Sequence, residues 1–204
     1  MEQNQILLRG QVAQAPVFSH ESHSTRFWTF PLSVPRLSGV ADTLNLLVRE
    51  ELAQGISDGD RISVTGTVRS FNNRSGSGSR LVITVLVHTL SPWEGPPENA
   101  LTLSGTLCKP PIFRRTPLGR EISDLMLAVP RRYGRATDFL PCIAWGSLAA
   151  QTAQLTVGSP LCLEGRLQSR TYTKLIDEQP VEKVAYEISI LSLLPQTTET
   201  TPER

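Results

Sequence analysis

The sequence predicts an all-β protein built as two tandem five-stranded barrels, each with a short helix between its third and fourth strands. Three observations predict it. The chain has 204 residues, a length that suits one large domain or two small ones. Its 15 prolines and 14 glycines sit at the ends of segments dominated by Val, Ile, Leu and Thr, the pattern of many short strands joined by turns. The sequence also repeats itself once, in register.

The repeat is specific. Asn4, Gly10, Pro16 and Phe18 recur as Asn99, Gly105, Pro111 and Phe113, and Leu32-Ser-Val-Pro-Arg36 recurs as Leu127-Ala-Val-Pro-Arg131, all at an offset of 95. Leu52 and Ala53 match Leu148 and Ala149 at 96, Gly59 and Gly66 match Gly158 and Gly165 at 99, and Ile83, Val85 and Val87 match Tyr186, Ile188 and Ile190 at 103. The offset grows only where loops belong. This divides the chain into domain 1 (residues 1–92), a linker (93–98), domain 2 (99–195) and a C-terminal tail (196–204). The linker Pro92-Trp-Glu-Gly-Pro-Pro97 follows because prolines stop strands and stiffen a connection.

In the second copy the strands fall at 101–108, 123–129, 139–145, 161–169 and 184–193. Leu101, Leu103 and Leu107 alternate with polar or small residues, the period of a half-buried strand. Leu148, Ala149, Thr152, Ala153 and Leu155 recur at helix spacing, and Gly158 ends that segment. Five strands with a helix after the third is the order of an OB-fold barrel, whose open face often binds oligonucleotides. Gly105 and Gly165 fall inside strands, as expected where a small barrel bends sharply.

The net charge is +1, which excludes a globally basic protein but not a local basic face. Residues 1–95 carry as many acids as arginines. Residues 109–135 carry Lys109, Arg114, Arg115, Arg120, Arg131, Arg132 and Arg135 against Glu121 and Asp124. Cys108, Cys142 and Cys162 have no C-x-x-C spacing and lie in apolar runs, where Cys acts as a small buried hydrophobe. An odd cysteine count and the absence of a signal-peptide pattern fit a reducing cytoplasm. No stretch approaches the length of a membrane span. His20 and His23 with Glu21 read as a solvated loop rather than a metal site, no cofactor motif is present, and no nucleophile elbow or zincin helix points to an enzyme. Asp177, Glu178 and Glu182 read as a solvated turn.

From Asn99 to Leu193 the second copy resembles the bacterial single-stranded DNA-binding proteins. The likeness rests on Asn99, Gly105, Pro111, Thr116-Pro-Leu-Gly119, Leu127-Ala-Val129, Asp138-Phe139, Pro141-Cys-Ile-Ala-Trp-Gly-Ser-Leu-Ala149, Gly158-Ser159 and Glu164-Gly-Arg-Leu-Gln-Ser-Arg-Thr-Tyr172. The resemblance implies stacking positions at Tyr133, Phe139, Trp145 and Tyr172, where each stacked base contributes roughly 1–3 kcal/mol. Arg114, Arg115, Arg131, Arg132, Arg135, Arg170 and Lys174 are the cations set among them. The first copy resembles the family less: Arg49 stands where Trp145 does, and Thr43 where Phe139 does. Its candidates are Phe27, Trp28, Arg49, Arg69, Phe71, Arg74 and Arg80, the last two in a Gly/Ser-rich loop that lacks a P-loop ending. The first copy is expected to be mainly a partner domain with weaker binding.

The resemblance further implies sequence-independent single-stranded DNA binding and protection in replication, recombination or repair, and a homodimer presenting four OB domains. Many members of the family end in an acidic tip that recruits partners. The segment from Gln196 to Arg204 is nearly neutral, so recruitment through it is not expected. The alternative is an OB-fold interaction or assembly factor of a primosome or conjugation complex, since primosomal OB proteins also look like the segment around Leu103-Ser-Gly-Thr-Leu-Cys108.

Overall fold

The structure, a computed structural model, describes residues 4–73, 81–132, 135–176 and 179–195, the side chains of Lys174 and Ile176 excepted. The first copy contains β1 (Asn4–Val12), β2 (Val17–Ser22), β3 (Thr25–Pro35), β4 (Ala41–Arg49), α1 (Glu50–Ala53), β5 (Arg61–Asn72) and β6 (Leu81–Pro92). The second contains β7 (Glu98–Leu107), β8 (Ile112–Arg115), β9 (Glu121–Pro130), β10 (Thr137–Trp145), α2 (Ser147–Thr152), β11 (Pro160–Ile176) and β12 (Gln179–Leu194).

Each copy closes into a five-stranded barrel. In the first, β1 pairs with β3 and β5, β3 with β4, β5 with β6, and β4 runs parallel to β6. The second repeats this with β7, β9, β10, β12 and β11. Both are OB-fold barrels, with the helix between the third and fourth barrel strands. Each copy also carries a short strand that the sequence pattern did not show, β2 or β8, added to the edge of the barrel. These strands escape a pattern search because they have no buried face: all four residues of β8 are exposed. The helix α2 ends at Thr152, earlier than its spacing suggests. The Thr152 hydroxyl donates back to the Leu148 carbonyl at 2.8 Å, and Gly158 turns the chain into β11 at φ +94°.

The repeat is explained by the core. Leu8, Leu32, Leu44, Val64, Val68 and Val85 are fully buried, as are their counterparts Leu103, Leu127, Leu140, Leu163, Leu167 and Ile188 to within 2%. Two repeated polar and glycine positions serve the backbone. Asn4 donates to the Val68 carbonyl at 2.8 Å and accepts from its amide at 2.9 Å, and Asn99 does the same with Leu167. Gly66 and Gly165 sit at β-bulges. A Cβ there would lie 2.4 Å from the carbonyl oxygen of Leu86 or Ser189, so only glycine lets the strands meet.

The two barrels share one continuous sheet because β1 pairs antiparallel with β7. Ile6 faces Leu101, its own repeat counterpart, while Asn4 faces Leu103 and Leu8 faces Asn99. The pairing therefore has a local two-fold axis through Ile6 and Leu101. The linker is folded down beside it: the Arg9 guanidinium lies 3.8 Å from the centre of the Trp93 ring, and Arg61 donates to the Gly95 carbonyl.

A matched pair of polar clamps joins the copies away from that axis. Asp138 is wholly buried. It accepts from the Ser70 amide at 2.8 Å and from Arg131 and Arg69 at 2.8 and 2.9 Å, while Ser70 Oγ accepts from the Phe139 amide at 2.7 Å. Asp42, buried to 1%, accepts from the Ser169 amide at 2.7 Å and pairs with Arg36, and Ser169 Oγ accepts from the Thr43 amide. Arg36, Asp42 and Ser169 are thus the repeat counterparts of Arg131, Asp138 and Ser70. Removing one member of a buried charged cluster strands its partners in a dry site. Asp138→Ala is therefore expected to cost about 3–5 kcal/mol in urea unfolding, and Asp42→Ala less, because Asp138 holds two arginines and Asp42 one. Equal small losses would mean that the clamps do not join the copies.

Candidate nucleic-acid interface

Strand alternation decides which face of β10 meets solvent. Leu140, Cys142 and Ala144 point into the barrel and are buried, and Asp138, at the start of the same face, is buried against the first copy. Phe139, Pro141, Ile143 and Trp145 therefore lie on the opposite face, where Ile143 is covered, at 3% exposure, and the two rings are not. Phe139 is 46% exposed and Trp145 38% exposed, so two large rings stand on a rigid strand with free surface. Burial in the core, the ordinary fate of such residues, does not account for either ring. A third exposed ring, Tyr172, sits on the β11–β12 hairpin, which pairs as far as Ile176 and Gln179, well past the extent that the sequence pattern suggested. The Arg170 guanidinium lies 5.7 Å from the Tyr172 ring centre and 3.7 Å from Glu187.

Trp145 opens onto a groove of about 1230 Å³ shared by the two copies. Its walls carry Arg36 from the first copy and Arg114, Arg120, Arg166 and Arg170 from the second, with Glu187 the one carboxylate among the described lining residues. Arg36 is paired with Asp42, Arg114 with Asp124 and Arg170 with Glu187, so among the described residues Arg120 and Arg166 carry the excess positive charge that draws an anion to this wall. Arg166 Nε is buried without a hydrogen-bond partner. At the floor, Asn45 of the first copy donates to Tyr186 Oη of the second at 3.2 Å, and burial raises the Tyr186 phenol above its ordinary range, so it stays neutral at physiological pH.

The sequence-selected residues separate into groups. Phe139, Trp145, Tyr172 and Arg170 are exposed on the second copy, and Arg132 and Arg135 are exposed near it. Arg114 and Arg115 are tied to Asp124 and Glu121 at 2.8 Å. Such exposed pairs are weak, and a phosphate can replace the carboxylate. Arg131 serves the Asp138 clamp, with its guanidinium 5.3 Å from the ring of Phe71, which is itself 41% exposed. Arg69 shares that clamp. Arg49 is exposed. Tyr133, Arg74, Arg80 and the side chain of Lys174 lie outside the described residues, as do Asp177 and Glu178. Sequence reasoning passed over Arg36, Arg120, Arg166 and Tyr186. Arg120 and Arg166 lay in segments already singled out, but only the fold turns them toward Trp145. Of the cysteines, only Cys142 is fully buried; Cys108 and Cys162 are intermediate. Among the described residues no group of three or more His, Cys, Asp or Glu is placed to hold a metal, and no helix is long and apolar enough to cross a membrane.

The model of the single-strand binding protein family matches residues 98–193. The single-stranded DNA-binding protein of Clostridium tetani is 35% identical over 80 residues, 36% of this chain and 55% of that protein. That of Thermus thermophilus is 37% identical over 84 residues, 40% of this chain and 32% of that one. The chain spans about half the length of the first curated relatives it matches. The crystal structure of the wild-type single-stranded DNA binding protein from Thermus aquaticus shares the fold across both copies, with a TM-score of 0.78, 22% identity, and coverage of 98% of this chain and 96% of that one.

The facing of β10 is testable through its cysteine. Burial pushes the Cys142 thiol well above the ordinary thiol range, and a thiol reagent attacks the thiolate. Mass spectrometry after labelling at neutral pH is expected to find Cys108 and Cys162 modified in the native protein and Cys142 only in urea. Labelling of native Cys142 as fast as Cys108 would mean that β10 faces the other way and that Trp145 is core.

Proposed function

We propose that this chain, whose residues 98–193 match the model of the single-strand binding protein family, binds single-stranded DNA without sequence preference by stacking bases on its second barrel. The observation that carries this reading is the exposure of Trp145 at the mouth of an arginine-lined groove. A flat ring accepts any base, and the adjacent cations follow the phosphates, so affinity needs no base-edge contacts. Phe139 and Tyr172 extend the stacking surface, Arg170 accompanies Tyr172, and Arg132 and Arg135 supply cations at its border. Arg114 and Arg115 exchange their carboxylates for phosphates as the strand arrives, whereas Arg131 acts by holding the two copies together.

The protein is non-enzymatic in this reading. It coats and protects single strands exposed during replication, recombination or repair. Two chains associate to present four OB barrels. The outer side of the β1–β7 seam supports this association: it forms an open trough lined in part by Leu7, Ala100 and Leu191, and Leu191 is 61% exposed. Light scattering is expected to give the mass of a homodimer, and a stable monomer at working concentration would remove the four-barrel arrangement.

The binding itself is tested by titrating the protein with oligo-dT while following tryptophan fluorescence at several salt concentrations, with duplex DNA as control. The expected result is quenching by single strands only, abolished in Trp145→Phe. If about four phosphate contacts form, log K falls with log salt at a slope of about −3. Absence of both quenching and retention would move the function from DNA binding to protein assembly on an OB scaffold.

A further inference from the structure

The first barrel carries its own ring and cation at the level where the second carries Trp145. Across three neighbouring strands of the second copy, one rung of paired residues reads Arg114 on β8, Ile122 on β9 and Trp145 on β10. The matching rung of the first copy reads His20 on β2, Phe27 on β3 and Arg49 on β4. The aromatic lost at position 49 reappears on the adjacent strand, and the guanidinium has moved from the edge strand to the inner one.

The rung faces outward. Phe30, Leu32, Leu46 and Val48 fill the barrel, and alternation along β3 and β4 sends Phe27 and Arg49 to the opposite side. In the second copy the middle position is covered, Ile122 being 2% exposed. In the first it is half-open. The rings of His20 and Phe27 are stacked, with centroids 5.1 Å apart and planes inclined by 14°. The Ser19 hydroxyl lies 3.0 Å from His20 Nδ1 and steadies the imidazole. His20 and Arg49 are exposed. Arg49 forms no ion pair among the described residues, while the nearby Arg26 is paired with Glu50. A ring pair kept only for packing has no need of an outward imidazole or an unpaired guanidinium beside it.

We propose that His20, Phe27 and Arg49 form a second stacking site, on the first barrel, for one unpaired base and its phosphate. The base lies on the exposed face of His20, backed by Phe27, and Arg49 holds the phosphate. This rests on the reading of the second barrel as a single-strand binder and gives the weaker binding expected of the first barrel a defined site, with His20 as its exposed ring.

The test irradiates the full wild-type chain bound to a long oligo-dT substituted with iodouracil and maps the adducts by mass spectrometry. Adducts are expected on the peptide holding His20 or Phe27 as well as on the one holding Trp145. In parallel, Arg49→Ala and Phe27→Leu are expected to weaken binding of the long oligonucleotide about fivefold or more and to reduce the nucleotides covered per chain. Tight binding with adducts confined to the second barrel, and both variants binding as wild type, would overturn the second site and leave the first reading intact. Failure of the wild-type chain to bind any single strand would overturn both, so the two failures are distinguishable.

Discussion

The antiparallel pairing of β1 with β7 is the contact on which the rest depends. A barrel whose first strand has an open edge presents unpaired amides and carbonyls that need a partner. Here the partner is the same strand of the other copy, set around a local two-fold axis at Ile6 and Leu101. This is the geometry of a symmetric dimer interface, made within one chain. The short linker raises the effective concentration of the two edges to the order of millimolar. Once the axis is set, the Asp42 and Asp138 clamps follow as a symmetric pair, and the groove beside Trp145 acquires a wall from the other copy through Arg36.

Joining the copies in one chain also removes a constraint. In a symmetric homodimer every substitution appears on both sides of the axis. In a tandem chain the two sides change independently. The clamps stayed alike, because both ends of the same scaffold need them. The outward rungs did not: Trp145 and Phe139 stand where the first copy has Arg49 and Thr43. The buried frame is symmetric and the exposed faces are not, a division expected if the frame is under packing constraint and the faces under a functional one.

The fold was legible because a repeat doubles every weak signal. Leu32 with Leu127, Gly66 with Gly165 and Asn4 with Asn99 each mark a position where the barrel admits few residues, and the rising offset located the loops. The short edge strands β2 and β8 were not legible, since a strand exposed on both faces has no hydrophobic period. Of the site, the exposure of Phe139 and Trp145 became decidable only with the facing of β10. The charge-rich segment from Arg131 to Arg135 was read as one set of cations, yet Arg131 is half-buried at the seam between the copies. A run of arginines in a sequence does not reveal which of them meets a buried aspartate seven residues on. Arg36 was missed for the converse reason, because its contribution to the groove comes from the opposite copy.

The inequality of the two faces has a physical consequence for the proposed ligand. A single strand of nucleic acid has a direction, and a two-fold axis reverses direction. Two identical sites related by the β1–β7 axis would each favour a strand running the opposite way, so one continuous strand could satisfy both only by bending back on itself. Exchanging ring and guanidinium between adjacent strands, as the His20–Phe27–Arg49 and Arg114–Ile122–Trp145 rungs do, changes the order in which base and phosphate are met. The symmetric frame then no longer dictates symmetric recognition. On the proposed reading, unlike sites on one sheet add their contributions along a directed strand, while the symmetry that holds the barrels together is kept in the buried strands and clamps.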